Sequence, residues 1–131
     1  MAGYGGPVVT GEEDGALERF FEGFPDGLRL YDAVAQAVAD IGEASVRVTR
    51  SQVAFRRRRG FAFVWRPGQY VTSDVPAVLS IALPHEVVSD RFTSVVHPST
   101  RVWMHHLELR EVAQVDDELR GWLVEAYDDA G

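Results

Sequence analysis

The sequence predicts an α+β domain: a mostly antiparallel sheet of roughly five to six strands, packed against two N-terminal helices and one C-terminal helix. Three features predict it. Apolar residues recur at helical spacing near both ends, the period drops to two between Val46 and Leu109, and turn residues separate the segments. The 131 residues suit one domain over positions 13–131, and a hydrophobic content of 46% can fill its core without a metal or disulfide.

The first helix is carried by Leu17, Phe20, Phe21 and Phe24 and stops at Pro25. Asp26 is placed to cap a second helix with the stripe Leu30, Val34, Ala37, Val38 and Ile41, and Gly42 to end it in a left-handed conformation. Strands follow over Val46–Val48, Val53–Arg56 and Phe61–Trp65, with Arg59-Gly60 as a hairpin turn that draws on glycine's access to positive φ. Further strands are expected over Val78–Leu83, Phe92–Val96 and Arg101–Leu109. Val115, Leu119, Trp122, Leu123, Ala126 and Tyr127 then mark one face of the last helix, with Asp116, Asp117 and Glu118 at its dipole-favoured start. Residues 1–12 read as a Gly-rich flexible tail, with neither the basic nor the apolar region of a signal peptide.

The chain contains no Cys, which excludes disulfides, thiolate metal sites and cysteine nucleophiles and agrees with a cytoplasmic location. No apolar run is long enough for a membrane helix, so no membrane association is expected. The net charge of −7 hides an asymmetry. Seven Arg and no acid lie between Val46 and Ser73, while the rest holds 6 basic and 20 acidic residues. Every basic residue is Arg, a bias that a GC-rich genome also produces.

Pleat alternation sorts these residues by face. Val53, Phe55, Phe61, Phe63, Trp65, Leu79, Ile81, Leu83, Trp103, Leu107 and Leu109 are assigned to the helix-covered side. Arg47, Thr49, Gln52, Ala54, Arg56, Ala62, Arg66, Ser80 and Ala82 are assigned to the open side, as small residues rimmed by cations and amides. Adjacent His105 and His106 must point to opposite faces, His105 inward and His106 outward, so they cannot share a metal. His106 is left to meet His97 or Glu108. No cofactor or metal is expected, and no residue is given a catalytic role. There is no G-x-S-x-G elbow, no H-E-x-x-H helix, and no phosphate-binding glycine loop between a strand and a helix.

The leading expectation is a non-enzymatic binding module with an Arg/Gln-lined sheet face for an anionic small molecule or a partner protein. Its candidate residues are Arg47, Arg50, Ser51, Gln52, Arg56, Arg66, Ser80 and His106. An enzyme using His106 beside Arg56 or Arg66 is the alternative. Nucleic-acid contact through Arg56, Arg57, Arg58 and Arg59 comes third, because the net charge disfavours polyanions. The bland reading of that Arg run is a solvated hairpin tip paired with acidic helices of its own domain. Homodimerisation through the open face would also use its small residues.

The strings Thr49-Arg50-Ser51-Gln52-Val53-Ala54-Phe55-Arg56-Arg57, Phe61-Ala62-Phe63-Val64-Trp65 and Leu79-Ser80-Ile81-Ala82-Leu83-Pro84 resemble, in this order, the bacterial domain of unknown function fifty-six fifty-five. So do Trp103-Met104-His105-His106-Leu107-Glu108-Leu109 and Leu119-Arg120-Gly121-Trp122-Leu123-Val124-Glu125-Ala126-Tyr127, which extends the resemblance over residues 14–127. The resemblance implies a small stand-alone protein or C-terminal module, with no activity or ligand to carry over. It directs attention to Arg50, Ser51, Gln52, Arg56, His105 and His106. Members labelled as predicted transport proteins sit poorly with a chain that has no spanning segment. Many have Lys where this chain has Arg50, so a Schiff-base role finds no support here.

Overall fold

A computed structural model describes residues 15–69 and 71–131, and the backbone of 8–9. The remainder of the tail expected over 1–12 lies outside the described residues. In chain order the elements are β1 (Val8–Val9), α1 (Ala16–Phe20), α2 (Pro25–Ile41), β2 (Ser45–Val48), β3 (Val53–Arg56), β4 (Gly60–Trp65), β5 (Ala77–Leu83), β6 (Ser94–Ser99), β7 (Val102–Leu109) and α3 (Asp117–Asp129). The sheet runs β1-β2-β3-β4-β5-β7-β6; β1 is parallel to β2 and every other pairing is antiparallel. The expected α+β plan is the observed one. None of the helices is long and apolar enough to cross a membrane, among the described residues.

The helices lie on one side of the sheet. Leu30, Val34, Ala37 and Val38 of α2 and Leu119, Leu123 and Ala126 of α3 meet Phe55, Phe61, Leu79, Ile81, Leu107 and Leu109 in one buried cluster. Each of these large apolar side chains contributes about 1.5–3 kcal/mol by leaving water. β5 is buried at all seven positions, as expected of a central strand shielded on both faces. β6 forms an exposed edge, where Pro98 and a register shift between Val96 and Ser99 interrupt its ladder.

The helix boundaries follow local chemistry, with two departures. The Asp116 side chain caps α3 by accepting from the Leu119 N–H at 3.0 Å. For α2 the cap is Phe24 rather than Asp26: Pro25 takes the first helical position, where its missing N–H costs nothing, and Asp26 falls in the first turn. Gly42 does not take a left-handed conformation. Its φ of 167° is extended, and the residue is small because the Tyr127 hydroxyl occupies the space a Cβ would need.

The β3–β4 hairpin departs further. Gly60 does not take a left-handed φ; the described glycines in that region are Gly15 and Gly23, each at φ 80°. A Cβ at Gly60 would lie 2.8 Å from the Phe63 ring, which accounts for the glycine. The Arg57 N–H donates to the Arg59 carbonyl at 3.0 Å, and pairing shifts register between Phe55/Ala62 and Arg56/Gly60. This β-bulge sends two successive residues, Phe61 and Ala62, into the helix-side core, and from there the alternation is reversed. Phe63 and Trp65 therefore lie on the open face, not beneath the helices, and Ala62 lies under the helices, not on the open face.

Candidate functional site: a concavity on the open sheet face

Strand register aligns one row across the open face: Arg47, Ala54, Phe63, Ser80, His106 and Ser94. Trp65 and Val78 are paired in the neighbouring row, with Glu108 opposite Val78. Ala54, Val78 and Ala82 are buried yet stand outside the main core cluster. Of the small residues expected on this face, Ala54, Ser80 and Ala82 lie on it, whereas Ala62 lies beneath the helices. Ser51, Gln52, Phe63, Trp65, Ser80, Met104 and His106 border an open concavity of about 310 Å³ on this face.

At its base the Trp65 indole N–H donates to Ser80 Oγ at 2.9 Å, and Ser80 Oγ lies 2.6 Å from His106 Nδ1. An indole nitrogen can only donate, so the serine oxygen accepts from it; giving the serine proton to His106 Nδ1 satisfies the buried hydroxyl, which a second donation, from an Nδ1–H, would leave without an acceptor. His106 Nδ1 is then an acceptor and Nε2 carries the hydrogen. Burial, and secondarily the neighbouring His105, hold the His106 pKa below the ordinary histidine value. Ser80 is 3% exposed, and the Trp65 and His106 rings meet edge to face with centroids 6.3 Å apart. A polar chain thus fixes two rings on a surface whose floor is apolar.

On the opposite face His105 is completely buried and satisfied. Its Nδ1–H donates to the Trp103 carbonyl at 3.0 Å, and Nε2 accepts from the Val87 N–H at 2.9 Å. Desolvation depresses its pKa, as this neutral tautomer requires. The division of the two histidines between faces is the one expected from alternation. His97 departs from expectation: it stacks on Trp103 at 3.7 Å, and Trp103 shares its face with His105, opposite His106. Glu108 shares the face of His106, but its carboxylate lies 3.9 Å from Arg110.

Of the candidate binding residues, Ser51, Gln52, Ser80 and His106 converge on the concavity, with Arg47 exposed further along the row. Arg56 borders a separate recess with Ser45 and Arg57. Arg50 and Arg66 border another, with Arg19 of α1. Arg66 was expected on the open face, but the bulge gives it the other parity. Its Nε donates to the Phe20 carbonyl at 3.2 Å and its guanidinium lies 3.9 Å above the Phe24 ring. Phe63, Trp65 and Met104 border the site without having been candidates. Both Phe61-Phe63-Trp65 and Ala62-Val64 are apolar alternations, so only the bulge decides which set is covered.

The hairpin-tip arginines engage their own domain. Arg57 donates to the Tyr127 carbonyl at 2.9 Å and lies 4.0 Å over the Tyr127 ring, the Arg58 N–H donates to the Ala130 carbonyl at 2.9 Å, and Arg59 pairs with Asp129. These are cations at the negative end of α3, as the bland reading of the run expects.

An antiparallel sheet with helices on one face and an aromatic, hydrogen-bonded concavity on the other defines a two-layer α+β domain with an open-face recess. Residues 18–130 match the model of the family described as Domain of unknown function (DUF5655), and the chain belongs to that family. No curated protein and no solved structure matches the chain.

Proposed function

We propose that the domain is a small-molecule binding module whose open-face concavity takes a flat, uncharged aromatic ligand. The observation that carries this reading is the Trp65–Ser80–His106 chain, which orients two rings beside Phe63 in a recess bordered by no charged side chain except, on protonation, His106. Stacking on Phe63 or Trp65 supplies contact area, and the Gln52 amide and His106 Nε2–H supply the polar specificity such sites use. This shifts the expected anionic ligand to a neutral one, because Arg50, Arg56 and Arg66 border other recesses. The test is NMR titration of the full chain with indole, adenine and benzamide, followed at the Trp65 indole N–H. A saturable shift that Trp65→Ala and Gln52→Ala each weaken supports the reading; no shift from any of the three overturns it.

The 2.6 Å contact between the Ser80 hydroxyl and a neutral imidazole favours a second reading, base-assisted attack by Ser80 on an ester. Burial of that hydroxyl and its indole donor count against it, since a nucleophile needs access and a spare lone pair. Hydrolysis of p-nitrophenyl acetate that is abolished in both Ser80→Ala and His106→Ala would establish this reading; equal rates in variants and parent would remove it.

A further inference from the structure

We propose that His106 makes the open-face recess selective for aromatic ligands that carry a hydrogen-bond acceptor in the ring plane. On the aromatic-ligand reading, on which this inference rests, the class narrows to N-heteroaromatics and aromatic carbonyl compounds.

Two polar groups that border the recess, the Gln52 side-chain amide and His106 Nε2, have no hydrogen-bond partner among the described residues. They are not equivalent. The amide carries a donor and an acceptor on a rotatable bond, so it turns to meet either kind of ligand atom. The imidazole has no such freedom. Its Nδ1 lies 2.6 Å from Ser80 Oγ, and that oxygen already accepts from the Trp65 indole at 2.9 Å. Flipping the ring would take Nδ1 away from a hydroxyl that is 3% exposed and has no other acceptor among the described residues. Moving the imidazole proton to Nδ1 would leave the same hydroxyl hydrogen unpaired. A buried polar hydrogen without a partner disfavours either state by about tenfold.

Nε2–H is therefore a fixed donor at the edge of the recess. Glu108 shares this face, but its carboxylate lies 3.9 Å from Arg110, and none of the described residues bordering the recess carries a carboxylate. A ring nitrogen or carbonyl oxygen placed against Nε2 extends the chain Trp65–Ser80–His106 with every hydrogen donated in one direction. A ligand N–H placed there would set two donors against each other.

The experiment compares isoquinoline with indole, bicyclic rings of similar area. Isoquinoline has a ring acceptor and no N–H, whereas indole has an N–H and no ring acceptor. Each is titrated into the full chain at about pH 8, where His106 and isoquinoline are neutral, and followed at the Trp65 indole N–H and the His106 ring nitrogens. Isoquinoline should bind about fivefold more tightly, the effect of one hydrogen bond, with the His106 proton on Nε2 and none on Nδ1 throughout. His106→Phe, which keeps a ring at this half-buried position, should bring the ratio to about one with the far-UV circular dichroism unchanged. Should that variant unfold, the nitrogen shifts and the ligand ratio of the parent still decide. Indole binding as tightly as isoquinoline, a proton on Nδ1 of the neutral ring, or an undiminished ratio in a folded His106→Phe would overturn the inference and leave the aromatic-ligand reading standing. Absence of binding by both ligands would overturn the two together.

Discussion

Ser80→Ala removes one oxygen and keeps the Cβ, so it isolates the hydrogen-bonded chain from the packing around it. Contacts of 2.9 Å to the Trp65 indole and 2.6 Å to His106 Nδ1 are lost. A buried group deprived of its partner costs about 1–3 kcal/mol. Two facts pull the figure down: Trp65 and His106 are each half-exposed and can recruit water, and deleting a buried hydroxyl removes its own desolvation penalty. The expected loss is therefore about 1 kcal/mol, or about 3–5 °C in Tm for a domain of this size. Thermal unfolding followed by circular dichroism measures it. Histidine ring nitrogen shifts supply a second readout: in the parent His106 is protonated at Nε2 alone, and in the variant the tautomer preference relaxes. An unchanged Tm together with unchanged His106 shifts would show that the Ser80 hydroxyl does not hold the imidazole, and the account of the recess would lose its base.

His105→Leu should cost about 2–4 kcal/mol in chemical denaturation, because the Val87 N–H and the Trp103 carbonyl both lose a buried partner; a cost under about 0.5 kcal/mol would contradict the satisfied-histidine reading. Stability should also fall on acidification from about pH 7 to about pH 5. His105 and His106 have folded-state pKa values below 6.5, so the unfolded chain binds protons first. Their contribution is complete above 6.5 and is lost as pH falls toward the folded values. His85 opposes this, since Glu125 raises its pKa and its contribution is present at low pH and lost as pH rises; it is exposed, so buried His105 and half-buried His106 set the sign. Midpoints that rise on acidification would refute that assignment. Gly42→Ala should lower stability by about 1–3 kcal/mol, because the new methyl displaces the Tyr127 hydroxyl from the Glu43 carbonyl, and Tyr127→Phe should recover part of that loss when the two are combined. Additive costs would show that the two positions do not meet.

Much of the fold was legible because its signals are local. The α2 and α3 stripes, the acidic start of α3 and the alternation of β5 and β7 each depend on a few neighbouring residues, and they placed His105 inward and Ser80 and His106 outward correctly. What escaped was a non-local choice. β4 offers two apolar faces of comparable merit, and the selection falls to a bulge whose register only the pairing with β3 reveals. That one residue of slip places Phe63 and Trp65 in the recess and Arg66 on the other side, toward α1, while Arg50 and Arg56, which precede β4, border separate recesses from the β2–β3 turn and the end of β3. The Gly42 and Gly60 conformations were misread for a related reason, since each glycine answers to a side chain that packs against it, Tyr127 and Phe63 respectively.

The parity of β4 is the point on which the recess depends, and a chain without cysteine allows it to be read directly. In the native protein, Phe63→Cys should react quickly with a thiol reagent such as Ellman's reagent, whereas Ala62→Cys, at a position with 0% exposure, should react only on unfolding. Rapid labelling at position 62 with protection at position 63 would return both aromatic rings to the core and remove the site.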